Sequence, residues 1–86
     1  MPRVKIVYSG IIGEIIGKSI EYIDTAREVK VEELIEILVE KYSVLREWLS
    51  KIPIILVQVN GVDSTNSTII HDGDEVAIYT PLYEGG

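Results

Sequence analysis

The sequence has no cysteine and no phenylalanine, and only one histidine, one tryptophan and one methionine in 86 residues. Without cysteine there are no disulfides and no thiolate-ligated metal sites. His71 has neither a second imidazole nor a thiol to form a catalytic pair or a metal site with it. Its position beside a turn signal reads as that of a turn residue. Basic residues are few: eight Lys and Arg against fourteen Asp and Glu, for a net charge of −6 and a pI near 4.6. The eight are scattered, so the basic face that displaces counterions from nucleic acid is missing and no nucleic-acid partner is expected. A basic protein partner would be steered toward the chain instead. No apolar run approaches the roughly 20 residues of a membrane-spanning helix, so no membrane partner is expected. Met1-Pro2-Arg3 leads straight into an alternating pattern, which reads as no signal peptide and a cytoplasmic location. The carboxylates form no spaced pair suited to acid–base catalysis.

What is present is enough apolar material for one small core. A chain of this size buries roughly 60% of the surface its unfolded form exposes. Its 47% hydrophobic content serves one compact domain and leaves no room for a deep catalytic cleft. Arg3 to Tyr8 alternates as a strand, with Val4, Ile6 and Tyr8 on one face and Arg3, Lys5 and Val7 on the other. Gly10-Ile11-Ile12-Gly13-Glu14-Ile15-Ile16-Gly17 follows. Its three glycines argue against a stable helix, so a tight connection with at most one helical turn is expected. The spacing is not that of a dinucleotide-binding loop. Lys18 to Asp24 alternates again, Ile20 and Tyr22 opposite Glu21, and should pair with the first strand as an antiparallel hairpin.

Val31 to Tyr42 is the clearest helix. Val31, Leu34, Ile35, Leu38 and Tyr42 form one apolar stripe, with Glu32, Glu33, Glu36 and Glu40 facing solvent. Glu32 and Glu33 suit the positive end of the helix dipole and Lys41 the negative end. Val29-Lys30 offers no good cap. The four glutamates read as a solvated helix face rather than a binding patch. Ser43 is placed to cap a second short helix, Val44 to Lys51, where Leu45, Trp48 and Leu49 share a face and Trp48 packs at the core edge. Pro53 ends it. Ile54 to Asn60 reads as an inner strand, since both its faces are largely apolar. Asn60-Gly61 is a hairpin turn. Val62 to Thr68 reads as a short edge segment and loop, and Asp72-Gly73-Asp74 as another turn. The last strand, Glu75 to Thr80, turns Val76 and Ile78 inward and Ala77 and Tyr79 to the opposite face.

The order is strand, strand, helix, strand, edge segment, strand. This is an α+β chain in the β-grasp, ubiquitin-like arrangement: a four- to five-stranded mixed sheet with one main helix on one face. The first and last strands should lie side by side, parallel, in the middle. The other face is left uncovered, with Val7 and Tyr79 expected on it as a candidate docking surface. Residues 1–80 make the domain and residues 81–86 a flexible C-terminal tail.

That tail, Pro81-Leu82-Tyr83-Glu84-Gly85-Gly86, is the remaining place for chemistry. A C-terminal carboxylate becomes reactive once ATP converts it to an acyl-adenylate, open to sulfur or an amine. Glycine suits this, because a carbonyl without a neighbouring Cβ is unhindered and the segment can enter a narrow channel.

Specific blocks resemble a known family. They are Val4-Lys5-Ile6-Val7-Tyr8, then Glu14 with Gly17, the helix pattern Val31, Leu34 and Leu38, and Val57-Gln58-Val59-Asn60-Gly61. The most specific is Asp72-Gly73-Asp74-Glu75-Val76-Ala77-Ile78-Tyr79, followed by a proline and Gly85-Gly86. Together they resemble the small, sulfur-carrying subunits of molybdopterin synthase (MoaD-like), within the ubiquitin-like β-grasp proteins. The resemblance implies that a ubiquitin-activating-type enzyme adenylates Gly86 and that a sulfur donor converts it to a thiocarboxylate. The large synthase subunit then uses the sulfur to build the dithiolene of the molybdenum or tungsten cofactor. It implies no cofactor bound by this chain, ATP and the sulfur donor being used by the activating partner, and no catalysis by this chain alone. Partner contacts are expected at Tyr79, Pro81, Leu82, Tyr83, Glu84 and Gly85. Thr80-Pro81 stands where the family commonly has two prolines.

Three alternatives stay open on the sequence. One is a ubiquitin-like modifier joined to lysines through Gly86. Another is a sulfur carrier for thiamin thiazole or tRNA thiolation. The third is a β-grasp interaction module with an inert tail.

Overall fold

The first strand, β1 (Arg3–Tyr8), lies near the centre of the sheet, and its strict alternation sets one face against the core. Val4, Ile6 and Tyr8 are buried, while Arg3, Lys5 and Val7 face the other way. The computed structural model describes residues 1–51 and 54–81. The second strand, β2 (Ile20–Asp24), returns antiparallel, with Val4 opposite Ile23 and Ile6 opposite Glu21.

Between them the chain forms a helix, α1 (Ile11–Ile16), which corrects the expectation of at most one turn. The glycines do not break it; they bound it and fit it in place. Gly10 precedes it with φ 57°, and Gly17 closes it in the left-handed conformation with its N–H on the Gly13 carbonyl. A positive φ at a helix end is where glycine is favoured. Gly13 sits inside the helix for a different reason: a Cβ there would lie 2.9 Å from the Tyr8 carbonyl oxygen.

A two-residue strand, β3 (Val29–Lys30), leads into the main helix, α2 (Val31–Lys41), with Tyr42 as its C-cap. The helix starts where the apolar stripe starts, although no capping side chain precedes it. Its first N–H groups are satisfied from elsewhere: Val31 and Glu32 donate to the carbonyls of Thr68 and Asn66. The Lys30 N–H donates to the Glu33 carboxylate at 2.9 Å. Val31, Leu34 and Leu38 are buried against the sheet.

The next helix, α3 (Ser43–Leu49), begins at Ser43 itself, so Ser43 is its first residue and not its cap; Tyr42 takes that position without a side-chain bond. Leu45 is buried and Leu49 partly so. Trp48, expected at the core edge, is 38% exposed, with the Lys51 ammonium over its ring.

The remaining strands are β4 (Leu56–Val59), β5 (Val62–Asp63), β6 (Ile69–Ile70) and β7 (Glu75–Tyr79). Asn60 (φ 52°) and Gly61 (φ 79°) make the β4–β5 turn, as an Asn-Gly pair should. The main sheet has the order β2-β1-β7-β4-β5, with β1 and β7 parallel and the other pairs antiparallel. A second sheet, β3 with β6, was not expected; two-residue strands are too short to show a period. The Asp72-Gly73-Asp74 turn is locked by its own side chains. The Arg3 N–H donates to Asp72 Oδ1 and the His71 N–H to Asp74 Oδ2, both at 2.7 Å.

All three helices cover one face of the main sheet, and the core lies between: Val4, Ile6, Ile12, Leu34, Leu38, Ile70, Val76 and Ile78 are the best-buried residues. Burying side chains of this size stabilises by about 1.5–3 kcal/mol each before chain entropy is set against it. Among the described residues, no helix is long and apolar enough to cross a membrane.

Candidate functional site

The uncovered face is read off the strand registers. Lys5 stands opposite Tyr22 and Glu75; Val7 stands opposite Ile20 and Ala77; Gln58 stands opposite Ala77, and Leu56 opposite Tyr79. These residues alternate with the buried ones, so they share the open side. The face divides in two. At one end Arg3 pairs with Asp24, and Lys5 with Glu75, each at 3.4 Å. At the other end Ile20, Val7, Ala77, Leu56 and Tyr79 form an apolar surface, with Ile20 48% and Leu56 38% exposed.

Tyr79 closes β7, and the exposed Pro81 follows two residues on. The apolar end of the open face is thus the end from which the C-terminal segment departs. Beside Tyr79 lies a hollow of about 360 Å³, lined among others by Ile55, Leu56, Val57 and Ser64. Tyr79 is half-buried on the open side, as its alternation requires, and Val7 lies on the same face. Leu82, Tyr83, Glu84, Gly85 and Gly86 lie outside the described residues.

Among the described residues, the densest cluster of ionisable groups sits on the covered face. Glu21 is 8% exposed, its carboxylate held from several elements. The Tyr8 hydroxyl of β1 donates to it at 2.7 Å. The Tyr42 hydroxyl lies 2.7 and 2.8 Å from its two oxygens, and the Lys41 ammonium donates to Oε2. Lys18 stands 3.7 Å away. Burial alone would raise the Glu21 pKa, but the donors from Lys41, Tyr42 and Tyr8 outweigh it and hold the carboxyl at about 2. The Tyr8 phenol is pushed above its ordinary value, by burial first and by the Glu21 carboxylate second. This is a structural tie of β1, β2 and α2, with every donor aimed at one carboxylate and none at a cavity. Sequence reading placed Glu21 opposite Ile20 and Tyr22 but missed this role. The signal was the alternation itself, which sets Glu21 and Ile23 on the side where Tyr8 points.

Among the described residues no three His, Asp or Glu side chains are grouped to hold a metal ion. His71 is exposed at the turn, 3.8 Å from Glu28 and from Asp74.

A β-grasp sheet whose central last strand leads into a segment ending Gly85-Gly86 defines a class, the ubiquitin-like proteins of the ThiS/MoaD type. The chain belongs to the ThiS family, whose model matches residues 6–85. Its fold is shared by small archaeal modifier protein 1 of Haloferax volcanii, with 19% identity and a TM-score of 0.81 over 95% of this chain and 100% of the other. A Pyrococcus furiosus protein assigned as molybdopterin converting factor, subunit 1, gives 22% identity and 0.82 over 95% and 100%. A chain of the complex of subunits 1 and 2 of molybdopterin-converting factor from Helicobacter pylori gives 20% and 0.64 over 96% and 99%. Likenesses at these identities establish the fold. No curated protein matches the chain.

Proposed function

We propose that this protein is a sulfur carrier that delivers sulfur from a thiocarboxylate on Gly86 to molybdopterin synthesis. The observation that carries the reading is membership of the ThiS family, which runs through the tail as far as Gly85. A ubiquitin-activating-type enzyme transfers AMP from ATP to the Gly86 carboxylate, releasing pyrophosphate. A persulfide-bearing sulfur donor then displaces AMP, and reduction of the resulting acyl disulfide by a thiol leaves the thiocarboxylate. Adenylation makes the carbonyl electrophilic, and glycine leaves it open to attack. ATP, the sulfur donor and the reductant belong to the partners.

The partner docks on the apolar half of the open face, where Ile20, Val7, Ala77, Leu56 and Tyr79 lie beside the start of the tail. Pro81, Leu82, Tyr83, Glu84 and Gly85 thread toward the reacting centre. The large subunit of molybdopterin synthase is the acceptor, in line with the fold shared with the subunit complex from Helicobacter pylori.

The test is intact mass after incubation with the adenylating enzyme, ATP and a sulfur donor. A gain equal to the difference between sulfur and oxygen on Gly86 is expected. An unchanged mass, with the adenylating enzyme active on its own carrier, overturns the proposal. Ladders on other proteins would instead support the modifier reading, in which a lysine amine displaces AMP. The shared fold with an archaeal modifier keeps that reading as the second choice.

A further inference from the structure

The groove between β2 and α2 carries an inference that does not involve the tail. β2 is an edge strand: among the described residues β1 is its only partner in the sheet. Its inward bonds are fixed by register. The Tyr8 N–H bonds the Ser19 carbonyl and the Thr25 N–H bonds the Pro2 carbonyl, so the hydrogen-bonded pairs fall at Glu21 and Ile23. The main-chain N–H and C=O groups of Ile20, Tyr22 and Asp24 therefore point away from β1. None of them bonds another described segment. Three residues with unpaired outward groups on a five-residue edge strand, with Ile20 48% and Tyr22 58% exposed, are a template for a further strand.

Alongside this edge runs α2. Glu21 is tied to Lys41 and Tyr42 at one end, and Arg27 to Glu33 at the other, at 2.8 Å. Between the ties lies a hollow of about 560 Å³, lined by Thr25, Ala26, Arg27 and Val29 of the segment that continues from β2 and by Glu33, Glu36, Ile37 and Glu40 of α2. The helix side of it is one stripe at i, i+3, i+4 and i+7. Arg27 is engaged by Glu33, and Lys41 and Lys18 are turned to Glu21. Glu36 and Glu40 have no cationic partner among the described residues, and Ile37 between them is 37% exposed.

We infer that this groove takes an extended segment of a basic protein partner, added to β2 as a sixth strand. A strand laid on β2 turns alternate side chains to opposite sides. One set meets Glu36, Ile37 and Glu40 and calls for lysine or arginine. The other lies beside Ile20 and Tyr22 and calls for apolar residues. The charge decides the occupant: a second copy of this chain would bring net charge −6 and the same glutamates to the groove, and like charges repel there.

The probe is a capped peptide of about seven residues alternating lysine with valine, with a control alternating glutamate with valine. Titrated into the full chain and followed by amide NMR, the lysine peptide shifts Ile20, Tyr22, Asp24, Glu36, Ile37 and Glu40. Its affinity falls as salt rises. Glu36→Lys with Glu40→Lys weakens binding about tenfold or more. Tyr22→Pro removes one outward N–H and leaves the bonds to β1 in place, so it also weakens binding while the spectrum stays folded. Should that variant not fold, the double charge reversal carries the test. Deleting Gly85 and Gly86 leaves binding unchanged, which separates this groove from the proposed carrier function. The inference is overturned by shifts on Val7, Ala77 and Tyr79 instead, by equal binding of the glutamate control, or by no saturable binding at millimolar peptide. Concentration-dependent broadening of β2 without peptide assigns the edge to a second copy and overturns it too.

Discussion

The two faces of the main sheet are organised on opposite terms. The covered face holds the strongest polar constellation in the described molecule, three donors and the more distant Lys18 ammonium around the buried Glu21 carboxylate. The open face holds ordinary side chains, Val7, Ala77, Leu56 and Tyr79, beside the departure of the C-terminal segment. A strongly shifted pKa is a common marker of an active site. Here it marks a structural tie, because the donors from β1 and from the end of α2 all converge on the one carboxylate of β2. In the proposed carrier reading the chemistry belongs instead to the C-terminal segment that follows β7, and a partner supplies it.

The largest expected effect tests the exit. Removing Gly85 and Gly86 abolishes thiocarboxylate formation, with melting temperature unchanged; retained sulfur loading in that variant would return the site to the interior. Next comes the tie. Glu21→Ala leaves two tyrosine hydroxyls and an ammonium without their acceptor and lowers stability by about 3 kcal/mol, read by urea unfolding. Its pH dependence has a definite sign. The Glu21 carboxyl titrates at about 2 in the folded chain against an ordinary 4.5, so its contribution is complete above pH 4.5 and is lost as pH falls toward 2. Acid unfolding of the parent should therefore be steeper than that of Glu21→Gln across this window. A smaller effect distinguishes the open face. Ala77→Glu weakens partner binding about tenfold by calorimetry and moves stability by less than about 1 kcal/mol. Smallest is Val62→Thr on β5, 68% exposed, for which a change within about 0.5 kcal/mol and unaltered loading are expected. A large loss there would show that the short edge strand takes part in docking.

Much of the covered face was legible because its elements repeat a period long enough to read. The alternation of Arg3 to Tyr8 and of Glu75 to Tyr79, and the stripe from Val31 to Leu38, fixed which side chains are buried, and the order of elements fixed which strands are central. The Asn60-Gly61 turn was legible from its required positive φ angles. Three things were not. The α1 helix was hidden because glycine carries a low helix propensity, while its role at Gly10 and Gly17 is to end the helix and at Gly13 to admit the Tyr8 carbonyl. What caps the start of α2 was hidden, though the start itself at Val31 was read correctly, because the carbonyls of Asn66 and Thr68, distant in sequence, accept from its first N–H groups. The coverage of Trp48 was not legible, because spacing sets its face of α3 but not how far its neighbours cover it, and it is left 38% exposed at the edge. For the candidate site, Tyr79 was placed by alternation, and the partners Val7 and Ala77 came with the parallel pairing of β1 and β7.

That parallel pairing has a consequence for biosynthesis. β7 lies between β1 and β4, so the sheet is two separate pieces until residues 75–79 have been made. Contacts that join the two ends of a chain form late and slowly. A shortened chain lacking β7 could not assemble the surface on which Val7, Ala77 and Leu56 meet. Topology thereby acts as a quality check on the proposed carrier, since only a chain that has completed β7 assembles the apolar face proposed for docking.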